Sequence, residues 1–216
     1  MPFTFIYLAS QSPRRAQLLQ QIGVPFRALT PQSGEEGRAL EALEAERPGE
    51  PPVRYVRRVT LLKLAAAAQR IRDQGLPPAP LLCADTTVAL GAQILGKPRD
   101  ARHAAAMLRA LSGRDHRVLT AVAVQGAQGV KGEQGATHVT LSASRVRFAV
   151  LSRVDVAAYI DSGEWQGKAG GYAVQGRAAA FIAHISGSYS GIMGLPLHET
   201  ALLLRRVGVD TAKMTT

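Results

Sequence analysis

With one cysteine in 216 residues, the chain has no internal disulfide and no cysteine-built zinc centre. Cys83 stands between Leu82 and Ala84 in an apolar run and reads as a small core residue. No apolar run reaches the roughly 18 residues of a membrane-spanning helix. The apolar stretch at the N-terminus is too short for a signal peptide and follows no basic residue, so the expected location is the cytoplasm, with no membrane partner. Aromatics make up only 5% and no nucleic-acid-binding pattern occurs. The net charge of +10 comes from 26 Lys and Arg spread along the chain, a field that suits small polyanions such as nucleotides as well as it suits a polymer. Acidic residues are scarce, yet Glu35, Glu36, Glu41, Glu44, Glu46 and Glu50 crowd into residues 30–52, read as a polar, solvated connection. His103, His138, His184 and His198 have no metal spacing, and His116 reads as support for its loop rather than as an acid or base.

The apolar share is 46%, enough to bury a core, and strand-like and helix-like segments alternate without a linker between them. The expected fold is therefore a single α/β domain over residues 1–216, with hairpins that mix parallel and antiparallel strands. Residues 3–8 read as a buried strand. Ser12 and Pro13 then open a helix whose Leu18, Leu19 and Ile22 recur on one face, and Gly23 stops it. The turn Leu8-Ala9-Ser10-Gln11-Ser12-Pro13-Arg14-Arg15 thus delivers two hydroxyls and two guanidiniums to a helix N-terminus, a combination suited to phosphate.

Residues 55–75 read as one helix with Val56, Val59 and Lys63 on a shared face. A lysine there either meets something anionic or snorkels from the edge of the apolar stripe. Residues 81–90 form a near-continuous apolar strand interrupted by Asp85, the sharpest anomaly in the chain. A carboxylate in such a strand costs several kcal/mol unless paired, protonated or bound to a cation, which favours function over a plain ion pair. Residues 91–98 turn back, so that Asp85 and Lys97 are expected on neighbouring strands of a hairpin. Asp100 caps the next helix, residues 118–124 and 137–150 read as strands joined by a glycine-rich loop, and residues 163–176 form a glycine-dense loop carrying Lys168 and Gln175. The closing helix over residues 197–207 is expected to bury Leu202 and Leu203.

The opening turn, the run from Tyr55 to Lys63, Ala84-Asp85-Thr86, Gly96-Lys97-Pro98, Leu111-Ser112-Gly113-Arg114-Asp115-His116, the loop from Gly163 to Gly176 and the turn from Gly187 to Pro196 together resemble the Maf family of nucleoside triphosphate pyrophosphatases over nearly the whole chain. The resemblance implies an elongated mixed-sheet fold like that of inosine triphosphate pyrophosphatases, two lobes with a central cleft, and a homodimer. It implies Asp85 as proton acceptor, and Ser10, Ser12, Arg14, Arg15, Lys63, Lys97 and Lys168 as phosphate ligands. A magnesium or manganese ion would be held by Asp85 with a second carboxylate, for which an ungapped count from Gly23 gives Glu35, with Glu36 as the alternative. Arg14, Thr86 and Gln175 fall at the specificity positions. Threonine and glutamine there resemble the branch acting on dTTP and UTP, whereas the 7-methyl-GTP branch carries a bulkier aromatic and a glutamate. The resemblance therefore implies hydrolysis of dTTP and UTP, with modified uridine nucleotides as further substrates. The alternatives are a 7-methyl-GTP-type or broader pyrophosphatase, a non-enzymatic nucleic-acid-binding protein, and a regulator of cell division.

Overall fold

The computed structural model describes residues 3–31, 33–127 and 135–210; most of the glycine-rich loop expected between the two long strands, residues 128–134, lies outside them. Strand β1 (Ile6–Ala9) leads into helix α1 (Pro13–Gln21), which Gly23 ends with φ +66°. Strand β2 (Phe26–Ala28) and helices α2 (Gly34–Ala42) and α3 (Pro52–Asp73) follow. Next come β3 (Leu81–Leu90), β4 (Gln93–Leu95), α4 (Ala101–Leu111), β5 (Asp115–Gln125), β6 (Thr137–Phe148) and α5 (Arg153–Asp161). The chain closes through β7 (Ile182–Ser186), α6 (Tyr189–Met193) and α7 (Leu197–Arg206).

All seven strands join one sheet in the order β2-β1-β3-β5-β6-β7, with β4 hairpinned onto β3. β1 runs parallel to β2 and to β3, and the remaining pairs are antiparallel, so the sheet is mixed, as expected. Side chains alternate across β3 with period two. Cys83 and Ala89 face α3, where Val56, Val59 and Leu64 pack. Leu82 and Ala84 face α1 and α7, whose Leu18, Leu19, Leu203 and Leu204 complete the opposite core. Val88, on that same side, packs with Leu108 and Leu111 of α4 and Val156 of α5. The sheet is thus covered on both faces, which explains the nearly unbroken apolar run of β3.

Three expectations are corrected. Residues 30–52 are not only a loop, because Ser33 accepts a hydrogen bond from the Glu36 N–H and caps α2. In α7 the buried stripe is Thr200, Leu203, Leu204 and Val207, at helical spacing, and Leu202 falls off it with 44% exposure. β4 stops at Leu95, opposite Val88, so Lys97 lies beyond the hairpin rather than on a strand beside Asp85.

Candidate active site

β1 is shorter than β3, and their pairing ends at Ala9 opposite Cys83. β4 does not join the same edge until Leu95 pairs with Val88. A notch therefore opens along residues 84–87 of β3, at the carboxyl end of β1, where open α/β sheets commonly bind ligands. The chain leaving β1 runs along the notch as the turn that starts α1. A cavity of about 430 Å³ lies there, lined by that turn, β3, α3 and the glycine loop. Asp85 points from the α3 face of β3 and Thr86 from the opposite face, so one dipeptide supplies both walls.

On the α3 wall, the Lys63 ammonium donates to Asp85 Oδ1 at 2.6 Å and to Glu44 Oε1 at 2.7 Å. The Lys97 ammonium donates to Glu44 Oε2 at 2.8 Å, and has no hydrogen bond to Asp85. Asp85 is buried, with its side chain 11% exposed, on a strand that cannot shift without disturbing the sheet. Burial alone would depress the Lys63 pKa, but the charges of Asp85 and Glu44 outweigh it and hold the ammonium above its ordinary value. Burial likewise opposes ionisation of Glu44, and Lys63 and Lys97 outweigh it in turn, drawing its carboxyl below the usual range. Lys63 and Glu44 are thus both charged at neutral pH.

Glu44, which the count from Gly23 did not single out, is the carboxylate that shares Lys63 with Asp85. Helix α3 places it: the Tyr55 hydroxyl donates to the Glu44 carbonyl at 2.9 Å, and Arg58 forks onto Glu50 at 2.7 and 2.6 Å while its guanidinium also donates to the Ala45 carbonyl at 2.9 Å. The expected Glu35 sits in the exposed first turn of α2 and does not line the cavity, and Glu36 pairs with Arg70 at 3.4 Å.

The two adjacent arginines divide their work. Arg15 Nε donates to the Gly194 carbonyl at 2.8 Å, and its terminal nitrogens donate to Ser10 Oγ at 3.2 Å and Thr86 Oγ1 at 3.3 Å. Arg14 spends only Nε, on the Met193 carbonyl at 3.3 Å, and lines the cavity. Burial and the neighbouring Arg15 charge lower the Arg14 pKa. Ser10 Oγ accepts from the Ser12 N–H, and the Ser12 side chain makes no capping bond, leaving its hydroxyl uncommitted at the start of α1. Across the cavity, Lys168 donates to the Gln166 carbonyl at 3.0 Å; burial and the Arg14 charge lower its pKa. Gln175 is exposed at the cavity rim. Among the sequence-derived candidates, Ser10, Ser12, Arg14, Arg15, Lys63, Asp85, Thr86, Lys97, Lys168 and Gln175 all line this cavity, and Glu35 does not.

Gly167, Gly170 and Gly171 have φ of +66°, +67° and +74°, which permits the tight path of the glycine loop. A Cβ at Gly170 would also lie 2.9–3.0 Å from the Val88 side chain, whereas at Gly167 it would meet nothing within 4 Å. Gly170→Ala is expected to destabilise the protein by about 2–4 kcal/mol, the sum of left-handed strain and overpacking, and Gly167→Ala by the strain alone, about 1–2 kcal/mol. Denaturant midpoints measure both, and equal losses would discount the Val88 contact. Behind the loop, His116 Nε2 and the Tyr172 hydroxyl lie 2.7 Å apart in the core. Burial drives the His116 pKa down to about 4, so the ring is neutral and braces the loop.

The sequence model described as Maf-like protein matches residues 5–207. A dTTP/UTP pyrophosphatase of Polaromonas sp. (strain JS666) is 60% identical, the match covering 95% of this chain and 96% of that protein. A dTTP/UTP pyrophosphatase of Ralstonia nicotianae is 58% identical over 96% of both chains. Another, from Albidiferax ferrireducens, is 58% identical over 94% of this chain and 97% of its own.

Proposed function

This chain belongs to the Maf family, and from that premise we propose that it is a nucleoside triphosphate pyrophosphatase hydrolysing dTTP and UTP to the monophosphate and pyrophosphate. The observation that carries the reading is the cluster in the notch of β3. There a buried carboxylate and a second carboxylate are held by two ammonium groups, inside a cavity ringed by further cations.

In the proposed reaction Asp85 accepts a proton from the attacking water as the water oxygen bonds to the α phosphorus. The bond from that phosphorus to the bridging oxygen breaks, and pyrophosphate leaves with the electron pair. Lys63, Lys97, Arg14 and Lys168 neutralise the triphosphate, with the Ser10 and Ser12 hydroxyls and the start of α1 as additional donors. Arg15, engaged on three sides, holds the turn in shape as well as contributing charge. The Gln175 amide, offering a donor and an acceptor, pairs with the O4 and N3–H edge of uracil or thymine. Modified uridine nucleotides present a related edge.

Enzymes of this family depend on a divalent cation. Among the described residues no three His, Cys, Asp or Glu side chains converge as a complete metal cage. Asp85 and Glu44 nevertheless fit such an ion, because both already converge on one cation, the Lys63 ammonium, and magnesium or manganese commonly takes one or two carboxylates and completes its shell with phosphate oxygens and water. Bound there, the ion would add Lewis acidity at the phosphates. Glu44 replaces Glu35 in this reading. Glu44→Gln is expected to lower kcat/KM at least about tenfold, with activity recovering only at raised metal concentration, a loss typical even of groups that merely support a metal ligand. Glu35→Gln is expected to match the wild type.

No helix among the described residues is long and apolar enough to cross a membrane. The reading keeps residues 1–216 as one cytoplasmic domain, supported by the single sheet from β2 to β7. Incubation with dTTP, UTP, CTP, ATP, GTP and 7-methyl-GTP, each with magnesium, manganese or cobalt, tests it. Monophosphate and pyrophosphate from dTTP and UTP are the expected products. Faster turnover of 7-methyl-GTP would overturn the base assignment, and no pyrophosphate from any nucleotide would overturn the activity.

A further inference from the structure

Thr120 lies in the middle of β5, opposite Thr86 in the sheet register, and is 1% exposed. A buried hydroxyl needs a hydrogen-bond partner, and that partner is often a single backbone group close in sequence. This one instead joins other segments. Thr120 Oγ1 donates to the Gly191 carbonyl in α6 at 2.7 Å and lies 2.9 Å from Thr86 Oγ1, which accepts from Arg15 at 3.3 Å. A carbonyl can only accept, so the single proton of Thr120 goes to Gly191. The proton between the two threonines must then belong to Thr86. The relay has one direction: Arg15 to Thr86, Thr86 to Thr120, Thr120 to Gly191.

Two consequences follow. Thr86 has already given its proton and cannot offer it to a nucleobase. The relay also ties together three pieces of the cavity wall: the opening turn through Arg15, β3 beside Asp85, and the α6 turn whose Met193 and Gly194 carbonyls hold Arg14 and Arg15. Thr120 does not line the cavity.

We infer that Thr120 is a positioning residue for pyrophosphate release: through the Arg15–Thr86–Thr120–Gly191 relay it sets where the paired arginines of the opening turn stand relative to Asp85. The inference rests on the pyrophosphatase reading. α6 has a second attachment, the Ser144 hydroxyl donating to the Ser188 carbonyl at 3.2 Å, so loss of the Thr120 hydroxyl displaces the turn without dismantling it.

Thr120→Val keeps the side-chain shape and removes the donor and acceptor; Thr120→Ser keeps both. The valine variant is expected to lower kcat/KM for dTTP on the order of 100-fold, the effect of an ångström-scale misplacement of binding groups, with KM raised because the arginines hold substrate in the ground state too. The serine variant is expected to recover most of that loss, which a merely structural packing role would not predict. Thr86→Val and Thr120→Val together are expected to be no worse than the more damaging single change, because both break one chain of bonds. Thermal melts of each variant fix a temperature at which all are folded for the assay. Wild-type kcat/KM in folded Thr120→Val, a serine variant as poor as the valine, or multiplicative losses in the double variant would each overturn the inference. If Thr120→Val cannot be folded at any assay temperature, the serine variant and Thr86→Val decide, wild-type behaviour in Thr86→Val counting against the relay. Absence of pyrophosphate from wild-type protein alone would sink the underlying activity instead.

Discussion

Asp85→Asn is expected to release pyrophosphate from dTTP about 10²–10⁴ times more slowly than the wild type, the range associated with losing a positioned general base. The change is nearly isosteric. The amide oxygen still accepts from Lys63, and Lys63 keeps Glu44 as its other partner at 2.7 Å. The side chain sits on β3 across from Ala121, in the middle of the continuous pairing of β3 with β5, so the strand keeps its register. The amide cannot take the proton of an attacking water at neutral pH. A continuous pyrophosphate assay together with a thermal melt separates the two effects: turnover collapses and the melting temperature stays near that of the wild type. Turnover at the wild-type rate in this variant would remove Asp85 from the chemistry and leave the cluster as an ion-pair network.

Lys63→Met should push two measurements in opposite directions. Turnover falls, on the order of 10²–10³-fold, because the group that in the proposed reaction neutralises the triphosphate beside Asp85 is gone. Metal affinity without nucleotide rises. In the ligand-free protein the charges of Glu44 and Asp85 are compensated by Lys63 and Lys97, so a divalent cation arriving alone meets a nearly neutral cluster. Removing the shared ammonium leaves two carboxylates with Lys97 as their remaining ion-pair partner, a change worth about ten- to a hundredfold in manganese binding for charges at this spacing. The same loss destabilises the metal-free variant by about 3 kcal/mol, since the partners of a partly buried ion pair are left uncompensated. Manganese should therefore raise the melting temperature of Lys63→Met more than that of the wild type. Calorimetric titration with manganese checks it. Weaker manganese binding in the variant would mean that Lys63 supports the cation instead of competing with it, and would reverse this account of the free site.

The residues most legible in the sequence were those whose chemistry conflicted with their surroundings. Asp85 announced itself by interrupting an apolar strand, and Lys63 by standing on the inward face of α3. Both conflicts are local, and period-two and 3.6-residue patterns are enough to expose them. Apart from α2 and the short α6, which lies in a segment read as a turn, the order of elements and the mixed sheet followed from the same periodicities. Glu44 conflicts with nothing nearby, being one of six glutamates in a polar segment, and only the grip of Tyr55 and Arg58 on residues 43–50 selects it. Helix α2 hid for a related reason. It buries no residue, so no apolar stripe marks it, although Ser33 followed by Glu36 is a recognisable helix start. Arg14 and Arg15 are chemically identical in sequence. Their division of labour depends on carbonyls in the α6 turn that no local pattern could bring to them.

That last contact spans 179 positions, from Arg15 to Gly194. During synthesis the ribosome releases the opening turn first and the strut that steadies it almost last. A nascent chain therefore carries the paired arginines of its opening turn for most of translation without the partner that gives them a fixed shape, and hydrolytic competence is expected only once the C-terminal turn emerges and docks. Truncated products stalled before that point would be bystanders in the nucleotide pool, not weakly active enzymes.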